Sequence, residues 1–354
     1  MIKILFLYSE VMGYNIATIK KLAEMNYEVH LIHWDHIKLS KFSFDEINNV
    51  TIYKRSSLSK EKILSIAKFI NPNITILSGW IDRGYLITAK YLKTKKKIVI
   101  CGTDSHWENS IKNTLRKLIF NLKIPSLFFS HYWIPGLPQY NFLKKLKIDD
   151  SKIIFDGLSA DTSLFEKIYN DCRTQKKIKY PHKFFYAGRF ENIKGIKTLI
   201  NSWIKIKDQK LDWSLKFIGN GSQKSFLETC QEIELIDFVQ PQNYSKELKD
   251  VGCFILPSLD EPWGVVVHEF CSAGLPIILS SKVGAKSSFL IKGFNGYEFE
   301  AGNVTSLSES LLKIINSSDK ELFKMGMNSY AMSKKISTES SIANLLSTIK
   351  NNYV

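Results

Sequence analysis

The sequence predicts an α/β protein made of two doubly wound domains, each a parallel sheet flanked by helices. Three observations carry that expectation. A chain of 354 residues is long enough to bury two cores. Short apolar runs alternate with helix-patterned segments along both halves, the order that gives parallel strands joined by right-handed crossovers. A polar, charged stretch over residues 160–181, ending in Tyr180-Pro181, separates the two series and reads as an interdomain linker.

The elements follow in order. The apolar start Met1–Tyr8 leads straight into Ser9-Glu10 without a small-residue cleavage site, so residues 2–8 are expected to be a buried strand and not a signal peptide. Further strands are expected at 28–33, 73–78, 97–101 and 152–155, with helices at 14–25, 61–70, 82–92, 110–122 and 138–147. The second half gives strands at 183–187, 213–218, 236–239, 252–257 and 276–280. Its helices are expected at 195–206, 222–233, 262–273 and 305–316, and a polar helical tail follows residue 318. No apolar run approaches the roughly 18 residues that would span a bilayer. Cys101, Cys172, Cys230, Cys253 and Cys271 are odd in number and form no CxxC pair, which suits reduced thiols in a cytoplasmic protein.

The net charge of +15 is unevenly spread: residues 1–150 hold 23 Lys and Arg against 12 Asp and Glu, the remainder 26 against 22. A basic first half suits nucleic acid, anionic lipid or a phosphorylated substrate, or simply a solubilising surface. Ile111, Leu115, Leu118, Ile119 and Leu122 form an apolar helical stripe flanked by Lys112, Arg116, Lys117 and Lys123, with Lys93, Lys95, Lys96 and Lys97 elsewhere in the same half. The stripe reads either as core packing or as a membrane-facing surface. His30, His33 and His36 invite a metal reading, but on a strand His30 and His33 point to opposite faces, and no carboxylate or thiol cluster completes a site. No metal is expected.

Glu261-Pro262-Trp263-Gly264-Val265-Val266-Val267-His268-Glu269 follows the strand-like Phe254–Ser258 and precedes a glycine stop at Gly274. The pattern puts Glu261 beside a helix N-terminus, with Pro262 at the first helical position, and Glu269 about two turns inside. Val265 and Val266 share the face of Glu269. A carboxylate so placed can accept paired hydrogen bonds from a sugar diol, and free N–H groups around Trp263, Gly264 and Val265 can donate to hydroxyls or phosphate. Upstream, Gly188-Arg189 and Lys194-Gly195 end a strand, where open α/β sheets bind ligands, so Arg189 and Lys194 are placed to clamp a diphosphate. Gly219-Asn220-Gly221 makes a further glycine turn without the GxGxxG spacing.

The Glu-x7-Glu spacing after a Pro-Ser strand end, followed by Ala273-Gly274-Leu275-Pro276, resembles the donor-site signature of retaining GT-B glycosyltransferases, and most nearly family 4 of the nucleotide-sugar transferases. The resemblance is motif-level over residues 182–300 and architectural over 1–160. It implies the GT-B fold, two Rossmann-like domains facing a central cleft: residues 1–160 for the acceptor, with a C-terminal helix near 335–354 packing back on them, and residues 161–334 for the nucleotide sugar. It implies Arg189 and Lys194 as diphosphate cations, Glu269 on the ribose hydroxyls, and Glu261 nearer the transferred sugar. Gly13, Gly188, Gly219, Gly221, Trp263, Gly264 and Val265 would line the donor. Catalysis would come from stabilising the departing nucleotide diphosphate, with Glu261 no nucleophile and no cofactor beyond the nucleotide-sugar co-substrate.

The chain departs from the family in three places. Gln240, in Asp237-Phe238-Val239-Gln240, stands where a glycine is common near the base. The Ser9–Tyr14 loop has one glycine, Gly13, where two are usual. In Gly102-Thr103-Asp104-Ser105-His106-Trp107, either Asp104 or His106 takes the place of a histidine near the reacting sugar; Asp104 or Ser105 could equally be a helix N-cap. Ser78-Gly79-Trp80 is a further candidate lining for the acceptor. The expected partners are a nucleotide-sugar donor, a glycan or polyprenyl-diphosphate-linked acceptor and an anionic membrane face, in bacterial surface-polysaccharide assembly. Alternatives are a sugar-nucleotide epimerase or phosphorylase, and a nucleic-acid-binding protein, against which the absence of aromatic-basic base-reading motifs counts.

Overall fold

The computed structural model describes residues 1–35, 42–44, 46–108, 111–209 and 212–350, without the side chains at 111, 112, 349 and 350. His36, the side chains of Ile111 and Lys112, and residues 351–354 of the expected last helix lie outside the described residues. The chain divides into two compact units: Met1–Ser159 with the segment from Thr338 onward, and Ala160–Ser337.

The first unit opens β1 (Lys3–Tyr8), α1 (Gly13–Glu24), β2 (Glu28–His33), β3 (Val50–Lys54), α2 (Lys60–Ile70) and β4 (Ile74–Leu77). It continues α3 (Arg83–Thr94), β5 (Ile98–Gly102), α4 (Ile111–Asn121), β6 (His131–Trp133), α5 (Leu137–Lys145) and β7 (Ile153–Ile154). Its parallel strands lie in the order β3-β2-β1-β4-β5-β6-β7. Short apolar strands buried on both faces are what a parallel sheet covered by helices demands, and Ile4, Leu5, Phe6, Leu7, Ile76, Val99 and Ile100 are almost wholly enclosed.

The second unit opens α6 (Thr162–Ile178), β8 (Lys183–Ala187), α7 (Ile196–Lys205), β9 (Ser214–Ile218), α8 (Lys224–Glu228), β10 (Ile233–Ile236) and α9 (Tyr244–Glu247). It continues β11 (Cys253–Leu256), α10 (Val265–Ser272), β12 (Ile277–Ser280), α11 (Lys286–Phe289), β13 (Gly296–Phe299), α12 (Val304–Ile315) and α13 (Asp319–Ser333). Its sheet, also parallel, runs β10-β9-β8-β11-β12-β13. Both sheets therefore have a topological switch point: between β1 and β4 in the first, between β8 and β11 in the second. Ligands of open α/β sheets bind outside the strand carboxyl ends at such points.

The last helix, α14 (Thr338–Lys350), belongs to the first unit. Ser341 donates to the Asp156 carbonyl (2.5 Å), Asn344 to the Asp156 carboxylate (2.9 Å), and Glu339 pairs with Lys21 of α1 (3.1 Å).

Several expectations need correction. Residues 160–181 are no linker: they hold α6, capped by the Asp161 carboxylate on the Leu164 amide and burying Phe165, Ile168, Tyr169 and Cys172 along one side. The strand expected at 236–239 sits at 233–236, and the helix expected at 222–233 ends at Glu228. Beyond it, Thr229 and Cys230 bond back to the Phe226 carbonyl, and Glu232 takes a left-handed backbone. Three strands gave no sequence signal strong enough to place them. β3 is a half-exposed edge strand, β6 is three residues long, and β13 starts at Gly296, where a Cβ would lie 1.8 Å from the Ile277 carbonyl oxygen. The core reading of the α4 stripe fails: Leu115, Leu118 and Leu122 are each more than half exposed.

Candidate active site

The candidate residues of the second unit converge on its switch point. The loop after β8 is drawn against the loop after β11 by backbone contact. Leu259 donates to the Ile193 carbonyl (2.8 Å), and Gly195, in a left-handed conformation, packs so closely that a Cβ would lie 2.0 Å from the Pro257 carbonyl oxygen. That approach delivers Lys194 to Glu261: the ammonium donates to the carboxylate at 2.5 Å, with side chains 15% and 13% exposed. Ser258, buried after β11, donates to the same carboxylate oxygen (3.2 Å), and Ser280 fixes Ser258 by donating to its carbonyl (2.5 Å). Glu261 itself is pinned through its backbone, donating to the Lys282 carbonyl and accepting from the Gly284 amide.

Arg189 is exposed, and its guanidinium makes no hydrogen bond or ion pair with the described residues. Its backbone is fixed, because the buried Tyr186 hydroxyl donates to the Arg189 carbonyl (2.7 Å). The Gly219–Gly221 turn locks onto the same loop: Phe190 donates to the Asn220 carbonyl (2.8 Å), and a Cβ on Gly219 would lie 1.9 Å from the Gly188 carbonyl oxygen. Glu191 accepts from the hydroxyl and amide of Ser222, tying the two loops again. Past β10, Asp237 pairs with Lys224 (2.6 Å) and accepts from Asn220 (3.3 Å).

The helix carrying the second glutamate begins at Val265, later than expected. Pro262 and Trp263 lie before it, Gly264 is its N-cap at φ +92°, and Glu269 is just over one turn inside. The helix has no side-chain cap, so the amides of Val265 and Val266 face no partner among the described residues. Trp263 contributes backbone alone, since its indole is buried against Phe289. Glu269 is half-buried, and its carboxylate has no hydrogen-bond or ion-pair partner among the described residues. Burial, reinforced by the Asp161 carboxylate, pushes it up to about 7. Beside it, His268 is fully buried: its Nδ1 accepts from the Ala160 amide (3.0 Å), which puts the ring proton on Nε2, facing the Ser333 carbonyl (3.1 Å). Burial drives this imidazole down to about 4, keeping it neutral.

The motif thus holds two different carboxylates. Glu261 is ion-paired to Lys194, hydrogen-bonded by Ser258 and pinned through its backbone. Glu269 is an open acceptor whose ionised form is costly until a donor reaches it. Ser258 and Asp161 complete the arrangement and were not singled out in the sequence; the spacing of Ser258 three residues before Glu261 was the available signal.

In the first unit the switch-point loops are held by hydroxyls: the Ser9 amide donates to Ser78 Oγ (2.8 Å), and the two serine hydroxyls lie 3.0 Å apart. Gly13 opens α1. Gly79 is left-handed, and Trp80 packs edge-on against Phe120. Asp104 is exposed and its carbonyl accepts from Gln139 (2.9 Å), while His106 lies 3.5 Å from Glu108. Neither Asp104 nor Ser105 is an N-cap, since α4 starts at Ile111. His30 is buried and bonded to Glu28 (3.0 Å), and His33 meets the Trp34 carbonyl (3.0 Å).

Residues 170–332 match the family model described as Glycosyl transferases group 1. An uncharacterized glycosyltransferase of Methanocaldococcus jannaschii is 30% identical over 161 residues, which are 44% of this chain and 44% of that one. The chain thus spans less than half the length of that relative. The capsular polysaccharide biosynthesis glycosyltransferase CapM of Staphylococcus aureus is 23% identical over 325 residues, covering 84% of this chain and 83% of the other. Among solved structures, Anabaena HepE in complex with UDP and glucose superposes with a TM-score of 0.73 at 11% identity, over 99% of this chain and 100% of that one. That likeness establishes the fold, two Rossmann-like domains of the GT-B class. No helix among the described residues is long and apolar enough to cross a membrane.

Proposed function

We propose that the chain is a retaining, metal-independent glycosyltransferase of the family 4 type, moving a sugar from a nucleotide-diphosphate sugar to a glycan or lipid-linked acceptor in surface-polysaccharide assembly. One observation carries the reading. At the switch point of the second sheet stand a fixed cation, an exposed cation, uncapped helix amides and a carboxylate unpartnered among the described residues, the groups that a diphosphate and a ribose diol require.

Each residue's part follows from its surroundings. The Lys194 ammonium has three N–H donors and spends one on Glu261, which aims the others at a phosphate. Arg189 adds a charge that no hydrogen bond or ion pair among the described residues engages, and the amides at Val265 and Val266 supply a helix N-terminus for anionic oxygens. Together they stabilise the negative charge that grows on the diphosphate as the glycosidic bond breaks. Glu269 accepts from two vicinal hydroxyls, and those hydrogen bonds favour its ionised form. Glu261 positions the transferred sugar while holding Lys194. The capsule-assembly relative supports the pathway, and the relative of known structure with bound UDP supports the donor class. Asp104 or His106 would act from the first domain on the sugar or acceptor hydroxyls.

A panel of nucleotide sugars in a thermal-shift assay, run with and without chelator, tests this. The donor should raise the melting temperature by mass action regardless of chelator, and Glu269→Ala should abolish the rise. A full panel without any shift, or a shift that chelator removes, would sink the reading.

A further inference from the structure

We propose that the first domain docks on an anionic lipid surface through the face at the amino ends of its strands, with a lysine-lined concavity taking a lipid phosphate headgroup and an adjoining leucine ridge entering the bilayer interface. In a parallel sheet the loops that lead into strands emerge at the end opposite those that follow them. This face is therefore separate from the loops of Asp104 and His106, and none of its residues belongs to the second domain.

The concavity has a volume of about 870 Å³. Lys93 at the end of α3, His131 at the start of β6 and Lys152 just before β7 line it, with Ser126, Asn344 and Ser347. Neither lysine has an ion-pair partner among the described residues, and the buried His131 Nδ1 has no hydrogen-bond partner there. Asp150, also at the rim, is engaged by Lys144 (2.9 Å). The cations repel one another: burial and then Lys152 hold the Lys93 ammonium below its usual range, and burial, Lys93 and Lys152 do the same to His131. Two lysines free of ion pairs among the described residues, beside a histidine at one hollow, make a site complementary to a phosphate, while the hydroxyls of Ser126 and Ser347 are spent on the carbonyls of Lys123 and Asn344.

The second half of the argument is apolar. Ser126 sits in the turn Ile124–Leu127, whose ends Ile124 and Leu127 are 39% and 53% exposed. Leu115 and Leu118 on α4, and Leu122 just after it, continue from that turn at 57%, 54% and 63% exposure. Lys117 and Lys123 flank them. A soluble phosphate needs no such ridge, and a nucleic acid would gain nothing from exposed leucines. An anionic bilayer rewards both, through apolar burial at the acyl boundary and attraction of each lysine to the surface.

The test is co-sedimentation of the full chain with vesicles of phosphatidylcholine alone or mixed with phosphatidylglycerol. Binding should require phosphatidylglycerol. Lys93→Ser with Lys152→Ser should weaken it about thirtyfold, and Leu122→Ser with Leu127→Ser should do so by at least about tenfold. All four positions are at least partly exposed, and an unchanged melting temperature and nucleotide-sugar response would show that the variants fold. Equal binding to both vesicle types, or binding indifferent to either double variant, overturns the proposal. So does self-association in the absence of vesicles that the leucine variant abolishes, which would make the ridge an interface between copies. If inorganic phosphate binds the hollow while no vesicle recruits the protein, the site takes free phosphate and the lipid assignment falls.

Discussion

The loops at the carboxyl ends of the two sheets are built on different principles. In the second domain backbone presses on backbone: a Cβ at Gly195, Gly219 or Gly284 would lie about 2 Å from a carbonyl oxygen of the facing loop. In the first domain, Gly79 is equally left-handed yet has nothing within 4 Å of a Cβ, and the loops are joined by serine hydroxyls. Loops in main-chain contact admit few sequences, whereas loops linked through side chains admit many. The family match runs over residues 170–332, within the second domain.

The largest effect should come from the pair that this packing holds together. Lys194→Ala leaves the Glu261 carboxylate enclosed without its cation and should cost about 3–4 kcal/mol in urea denaturation. Asp104→Ala, in the first domain's exposed loop, should shift stability by no more than about 0.5 kcal/mol. Lys194→Met combined with Glu261→Leu should recover most of the stability without recovering any response to nucleotide sugars. If Lys194→Ala and Asp104→Ala cost the same, the contrast between the two loop systems is void.

The glycines sharpen the comparison. Gly195→Ala combines left-handed strain with a clash against Pro257 and should cost about 3 kcal/mol. Gly79→Ala pays the strain alone, about 1 kcal/mol. Equal losses would mean that backbone conformation, not close approach, distinguishes these loops.

A smaller effect, of opposite sign, is expected at Glu269. Its folded value, about 7, lies above the ordinary 4.5, so its contribution is fully present below about pH 4.5 and is lost as pH rises through 7. Glu269→Gln removes that loss and should gain about 2 kcal/mol at pH 8 relative to the parent, with little gain at pH 4. The same variant should lose its thermal response to nucleotide sugars. A pH-independent difference would show that Glu269 is ordinarily solvated.

Much of this was legible before any coordinates. The buried strands β1, β2, β8 and β11 announce themselves as apolar runs closed by turn residues; Arg189, Lys194 and Glu261 fall at strand ends by the same logic, and Glu269 on the helix that follows. Other parts were not. β6 is too short to show a period, and β3 is too exposed to look like a core strand. The helix α6 was hidden by its charges, although Phe165, Ile168, Tyr169 and Cys172 carry the helical spacing that would have revealed it. Its N-cap, Asp161, is the very carboxylate that raises Glu269.

By itself the sequence determined two parallel α/β domains and the set of chemical groups available at their strand ends, because periodicity and turn chemistry act over a few residues. Tertiary structure decided which groups meet. Lys194 and Glu261 are 67 residues apart, and they pair because β8 and β11 are neighbours at the switch point. That contact makes one glutamate a held anchor and leaves the other an open acceptor. The same layer of structure turned a leucine stripe that could have been core into an exposed ridge, since whether an amphipathic face is covered depends on what the rest of the chain places against it.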